Sequence, residues 1–200
     1  MDVIDGIELL KQTHHRVGDR LDLDFEPVAD RDLDRIAQLV PLSTDLRRAY
    51  RYGAPAGEFP ALSQDSELSR ADALTDGLLG YRVHAISGQR LPDWDEAWLV
   101  VGGDSGDPLI AHTDRPDTPV SIAVHGAGKW QPLTIADSLG AFYALVATWS
   151  SLLLEDFNGE RLDPDRDFEV KVGFWDRFHE RLGAVLPDHN MAAFRTYLTA

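Results

Sequence analysis

Apolar residues recur at helical spacing from the start of the chain. Val3, Ile7, Leu10, His14 and Val17 fall on one stripe, with Asp5, Glu8 and Lys11 outside it. Asp2 stands where a helix cap is wanted, and Gly18 where the helix must stop. Residues 20–27, RLDLDFEP, alternate Leu21, Leu23 and Phe25 with charges, the pattern of a short strand or an extended linker. Asp30 is placed to cap a second helix, with Leu33, Ile36, Ala37 and Val40 as its apolar face and Pro41 as its stop. Ser43 is placed to cap a third, TDLRRAYRY, with Leu46, Ala49 and Tyr50 on one side. Gly53 to Gly57 reads as a loop, and residues 58–80 are weakly patterned, with a helical turn or two between Leu68 and Leu79. Tyr81 to Ile86 alternates as a half-exposed strand does.

The strongest patterning lies between Trp98 and Val146. Ala97 to Val101 is a continuous apolar run of strand length. Gly102 to Pro108 reads as a turn rich in Gly and Asp, Leu109 to His112 as a second strand, and Asp114 to Pro119 as another turn. Val120 to His125 alternates. Gly126 to Lys129 reads as a turn, and Trp130 to Leu133 as a short return strand. Strands in succession with short turns pair antiparallel. Asp137 or Ser138 then caps a long helix whose stripe is Leu139, Phe142, Tyr143, Val146, Trp149 and Leu153. That stripe needs a surface to cover, and the preceding sheet supplies it.

Asn158-Gly159 marks a turn, and Asp163 to Asp167 an exposed acidic connector. Phe174, Phe178, Leu182 and Val185 define one more amphipathic helix. A last helix, capped by Asp188 or Asn190, carries Met191, Phe194 and Leu198. The pattern predicts antiparallel strands with a helix laid on them, in one domain over residues 1–200, with extra helices in a C-terminal extension over about 160–200.

Composition sharpens this picture. The hydrophobic fraction of 44% in 200 residues supports one real core. Asp and Glu total 34 against 19 Lys and Arg, a formal charge of -15. A polyanion such as nucleic acid is a poor partner for that surface, as is an anionic membrane. A basic protein is a good one. The absence of cysteine excludes disulfides and thiolate metal sites, and the acidic N-terminus lacks the positive n-region of a signal peptide. The longest nearly apolar run, Ala141 to Leu154, is too short to span a bilayer. The expectation is a cytoplasmic protein. No Lys or Arg occurs between Leu91 and Thr113, which makes Asp93, Asp95, Glu96, Asp104 and Asp107 the candidate partner-binding residues.

Gly103-Asp104-Ser105-Gly106-Asp107-Pro108 is one residue from the segment around the nucleophile of chymotrypsin-like proteases. No histidine precedes it in a matching context, and the chain before it is too short for the barrels that fold requires. Asp163, Asp165, Asp167 and Glu169 resemble the opening of a calcium loop, but Phe168 and Phe174 stand where Gly and Glu are needed. His179-Glu180 lacks the second histidine of a zinc motif, since Gly183 occupies its place. His112 and His125 lie on neighbouring predicted strands and could approach each other, without an evident third ligand. No catalytic residue, metal or cofactor is expected.

Within Trp98 to Val146 a set of small motifs resembles the SUKH superfamily. They are the Trp-led strand (Trp98), the turn Gly102, Asp104, Gly106, Asp107, Pro108, then Pro119-Val120, His125-Gly126-x-Gly128-x-Trp130 and Ile135-Ala136-Asp137-Ser138-Leu139 with Phe142. Leu33 to Tyr50 is similar to the family's N-terminal helices, so the resemblance covers about residues 28–150. Arg51-Tyr52-Gly53-Ala54 stands where the family often has Asn-Gly. The resemblance implies an α+β domain, a curved, antiparallel-rich sheet with helices packed against it, and a structural role for Trp98, Gly102, Gly106, His125, Gly126, Gly128 and Trp130. It implies a non-catalytic protein-binding domain, and for many members neutralisation of a toxin domain. The competing readings are a scaffold for a housekeeping partner and a small-ligand protein or enzyme.

Overall fold

The computed structural model describes residues 1–63 and 65–199. In chain order the elements are α1 (Val3–Val17), β1 (Leu23–Asp24), α2 (Asp30–Ile36), α3 (Thr44–Tyr52), β2 (Ala56–Phe59), β3 (Ser66–Leu68), β4 (Trp98–Asp104) and β5 (Asp107–His112). There follow β6 (Val120–Ile122), β7 (Leu133–Ala136), α4 (Leu139–Ser151), β8 (Leu162–Asp163), β9 (Glu169–Val170), α5 (Phe174–Leu182) and α6 (Asp188–Leu198). Strands β1 to β7 form one antiparallel sheet in sequence order, and β8 pairs with β9 in a small hairpin. The fold is α+β, as expected. No helix among the described residues is long and apolar enough to cross a membrane.

Helix α4 is the centre of the molecule. Ser138 caps it, its hydroxyl accepting the Ala141 N–H at 3.0 Å. Every α4 residue but Thr148 is buried, so the helix has no solvent face. Helix α1 crosses it at backbone contact: a Cβ on Gly6 would collide with the Gly140 carbonyl, and one on Gly140 with the Asp2 carbonyl. On another side Trp149 is fully buried, packs edge-on against Phe174 and Phe194, and donates its indole N–H to Pro60 O at 2.8 Å. The C-terminal helices therefore share the core of the sheet domain. Past Ser151 the helix widens into a π turn, Leu152–Asp156.

Several local expectations shift. Gly53 to Gly57 is not all loop, because β2 begins at Ala56, and the weakly patterned stretch after it holds the rest of β2 and β3 (Ser66–Leu68), strands too short to show a period. Tyr81 to Ile86 is no strand. Residues 79–90 fold as a turn held by isolated pairings of Val83 with Leu79 and Arg90, and Ile86 is 94% exposed. Strand β4 runs on through Asp104, so the supposed Gly102–Pro108 turn shrinks to Ser105-Gly106. The return strand starts at Leu133 rather than Trp130. The alternation from Val120 ends as a strand at Ile122, and Val124 is exposed. Helix α2 stops at Ile36 and leaves Ala37 exposed, while Asp30 and Asp188 are first helical residues, not caps.

Candidate binding groove

The β4–β5 hairpin turns on two residues, Ser105 (φ 51°) and Gly106 (φ 95°). Left-handed φ at both central positions matches the twist of a tight hairpin. Ser105 is fastened to the neighbouring chain: its N–H donates to Asp65 O at 2.9 Å, and its hydroxyl accepts the Asp65 N–H at 3.1 Å. The protease-like serine is thus a hairpin corner.

The aspartates flanking that corner do not form an open rim. Asp104 is wholly buried. Its Oδ2 accepts from Ser63 N–H (3.0 Å), Ser63 Oγ (2.6 Å) and the Tyr197 hydroxyl (2.6 Å), and its Oδ1 from Ser66 Oγ (2.7 Å). Burial alone would push its pKa up, but the bonds from Ser63, Tyr197 and Ser66 outweigh burial and hold it below the usual carboxylate value. Burial and these carboxylates hold the Tyr197 phenol far above the ordinary tyrosine range. Asp104 is therefore corrected from partner contact to interior anchor. The Asp107 side chain is only 14% exposed. Its Oδ1 accepts the His125 N–H (2.8 Å) and meets His125 Nδ1 (2.7 Å), and its Oδ2 lies 3.0 Å from the Tyr197 hydroxyl, whose single proton goes to the nearer Asp104.

The remaining sequence-derived residues divide by role. The His125 ring occupies the space beside Gly106, 3.5 Å from where a Cβ would stand. Gly126 and Gly128 adopt positive φ in the loop that follows. Trp98 and Trp130 both pack edge-on against buried Trp94, with ring centroids 5.4 Å away, and Tyr81 joins them. Gly102 is required because a Cβ there would strike the Glu67 carbonyl. His112 and His125 do not meet: His112 ends β5 and bonds Ser121 Oγ at 2.8 Å, while His125 lies at the strand's other end on Asp107. Burial lowers the His112 pKa, with Arg115 adding to the effect. Asp93, Asp95 and Glu96 are exposed in their loop, as expected. Glu96 is nevertheless paired with Arg90 at 2.5 Å, and Asp95 Oδ1 accepts the Ala97 N–H at 2.9 Å. Arg90 lies just outside the Lys- and Arg-free window and neutralises part of that patch.

A concavity lies over β2, β3 and β4, bordered by the Ser105-Gly106 corner. It is a groove of about 510 Å³ whose lining includes Glu58, Asp65, Glu67, Gly77, Tyr81 and Gly103. No Lys, Arg or His is among its described lining residues. Two basic residues adjoin the lining along the chain: Arg70, next to Ser69, pairs with Asp24, Glu26 and Asp72, and Arg82 follows Tyr81. Register places Glu58 opposite Glu67, and Glu67 opposite Gly103, so the three form one row across three strands. Tyr81 closes one end, its hydroxyl donating to Gly106 O at 2.8 Å. Burial raises its pKa, as do the negative charges of Asp107 and Glu67. Sequence reasoning missed Glu58 and Glu67. The signal was present but short: each is a lone charge next to an inward residue, Phe59 and Leu68, in a strand of four or three residues.

No protein-family model matches this chain, and no curated protein matches it. The reading of function therefore rests on the groove and its surroundings.

Proposed function

We propose that this chain is a non-catalytic protein-binding domain, an immunity protein that neutralises a basic toxin domain. The supporting observation is the groove on the open sheet face, which gathers Glu58, Asp65 and Glu67 with no basic side chain among its described lining residues, on a chain of net charge -15. A cationic surface meets complementary potential there, which speeds encounter and selects against acidic partners. The hydrogen bonds of Ser105, Asp104, Asp107 and His125 agree with this reading, since they engage the side chains of the GDSGDP segment in holding the hairpin. The SUKH-like motifs point the same way.

The test is co-expression with the toxin-like product of a neighbouring gene. Restored growth together with a stable one-to-one complex is the expected result. A toxin that kills equally well with and without the chain would end the toxin reading.

A further inference from the structure

We infer that the groove over β2–β4 is the docking site, and that its occupant is an extended partner segment carrying an arginine whose guanidinium lies over Gly103 and pairs with Glu67 and Glu58. The inference rests on the protein-binding reading and adds the face and the chemistry of the partner.

Two independent features carry it. The first is electrostatic. Glu58 and Glu67 are direct cross-strand partners, an arrangement that disfavours both strands unless a cation lies between them. The groove supplies no such cation from its described lining. The second is steric. Gly102 and Gly106 are demanded by the fold, one by the Glu67 carbonyl and the other by its φ of 95°. Gly103 and Gly77 are not. Neither adopts a left-handed backbone, and an added Cβ would make ordinary contacts, 3.4 Å to Asp107 O and 3.7 Å to Val100 Cβ. Both line the groove. The fold leaves empty, beside two carboxylates with no cationic partner among the described residues, a space that it could fill.

The chemistry of the lining selects the occupant. A planar guanidinium can satisfy two carboxylates at once and stack on an aromatic ring, whereas an ammonium acts as a point charge. Tyr81 supplies the ring at the groove's end. A space of 510 Å³ admits a short run of extended chain, not a helix about 10–12 Å across with its side chains.

The experiment is an NMR titration of the full chain with the peptide acetyl-Gly-Arg-Gly-Arg-Gly-amide, its lysine counterpart and its uncharged citrulline counterpart. Saturable shifts confined to the amides of Glu58, Glu67, Gly77 and Gly103, weaker with lysine and absent with citrulline, are expected. Gly103→Val leaves the net charge unchanged and plugs the groove, so it should abolish the saturable shifts while the thermal midpoint holds. The Glu58→Gln/Glu67→Gln pair should weaken binding on the order of tenfold and raise the midpoint, which keeps the test decisive if the valine variant fails to fold. Shifts gathered on residues 93–96, or equal binding by Gly103→Val, would overturn the inference. A toxin domain that binds wild type and Gly103→Val equally would remove the groove and leave the protein-binding reading standing. Arginine peptide seated in the groove with no toxin rescue would keep the groove and end the toxin reading alone.

Discussion

The phenol of Tyr197, near the end of α6, donates to Oδ2 of Asp104 at the end of β4 across 2.6 Å. The contact spans 93 residues of sequence and lies in the interior. It fastens the C-terminal helix to the strand that underlies the groove. Ser63 and Ser66 complete the same carboxylate, so the loop leading into β3 is set by it too. One buried charge thus positions both sides of the candidate site.

Removing that charge's partners should be costly. Tyr197→Phe deletes one bond to a buried carboxylate and is expected to lower stability by about 1.5–3 kcal/mol in urea unfolding. Asp104→Asn keeps the shape but replaces an acceptor with a donor facing donors, and should cost at least as much. A Tyr197→Phe variant as stable as the parent would show that the bond is not a structural anchor.

The same group sets a pH dependence. Its folded pKa lies below the unfolded value of about 3.9. Its contribution to stability is therefore fully present above pH ~4 and drains away as pH falls through the lowered folded value. Acid unfolding of wild type, followed by circular dichroism, should be steeper below pH ~4 than that of Asp104→Asn. Parallel curves would contradict the linkage.

Gly6→Ala tests the α1–α4 crossing. A methyl there meets the Gly140 carbonyl, backbone against backbone, and the helices must part. Overpacking of this kind costs about 1–3 kcal/mol. Urea unfolding should show that loss, whereas Gly103→Ala, with room for its methyl, should stay close to wild type.

Much of this fold was legible in the sequence because long elements repeat their pattern. Helix α1, capped by Asp2 and stopped by Gly18, and α4, capped by Ser138, emerge with the expected ends. Burial on every side of α4 was not legible, because a stripe argument assumes one solvent face. Strands β2 and β3 were missed because three or four residues carry no measurable period. Tyr81 to Ile86 alternates without any ladder to join. The surroundings of Asp104 and Glu96 were hidden for a different reason. Charge counting along the chain cannot see that Asp104 is buried under Tyr197, 93 residues away, or that Arg90 folds back on Glu96.

Relieving the facing carboxylates gives a stability prediction of opposite sign to its effect on binding. Glu67→Gln is expected to stabilise the free protein by about 0.2–1 kcal/mol, toward the lower end because water screens both groups. Chemical denaturation measures it. A destabilised Glu67→Gln would mean that the pair is compensated inside the chain.

The most direct measurement is a calorimetric titration of the neighbouring-gene toxin domain into wild type and the Glu58→Gln/Glu67→Gln variant, each at low and physiological salt. The expected result is binding that weakens with salt for wild type, falls on the order of tenfold in the variant, and loses much of its salt dependence there. Equal affinity and equal salt dependence in the two proteins would contradict the groove as the site of recognition.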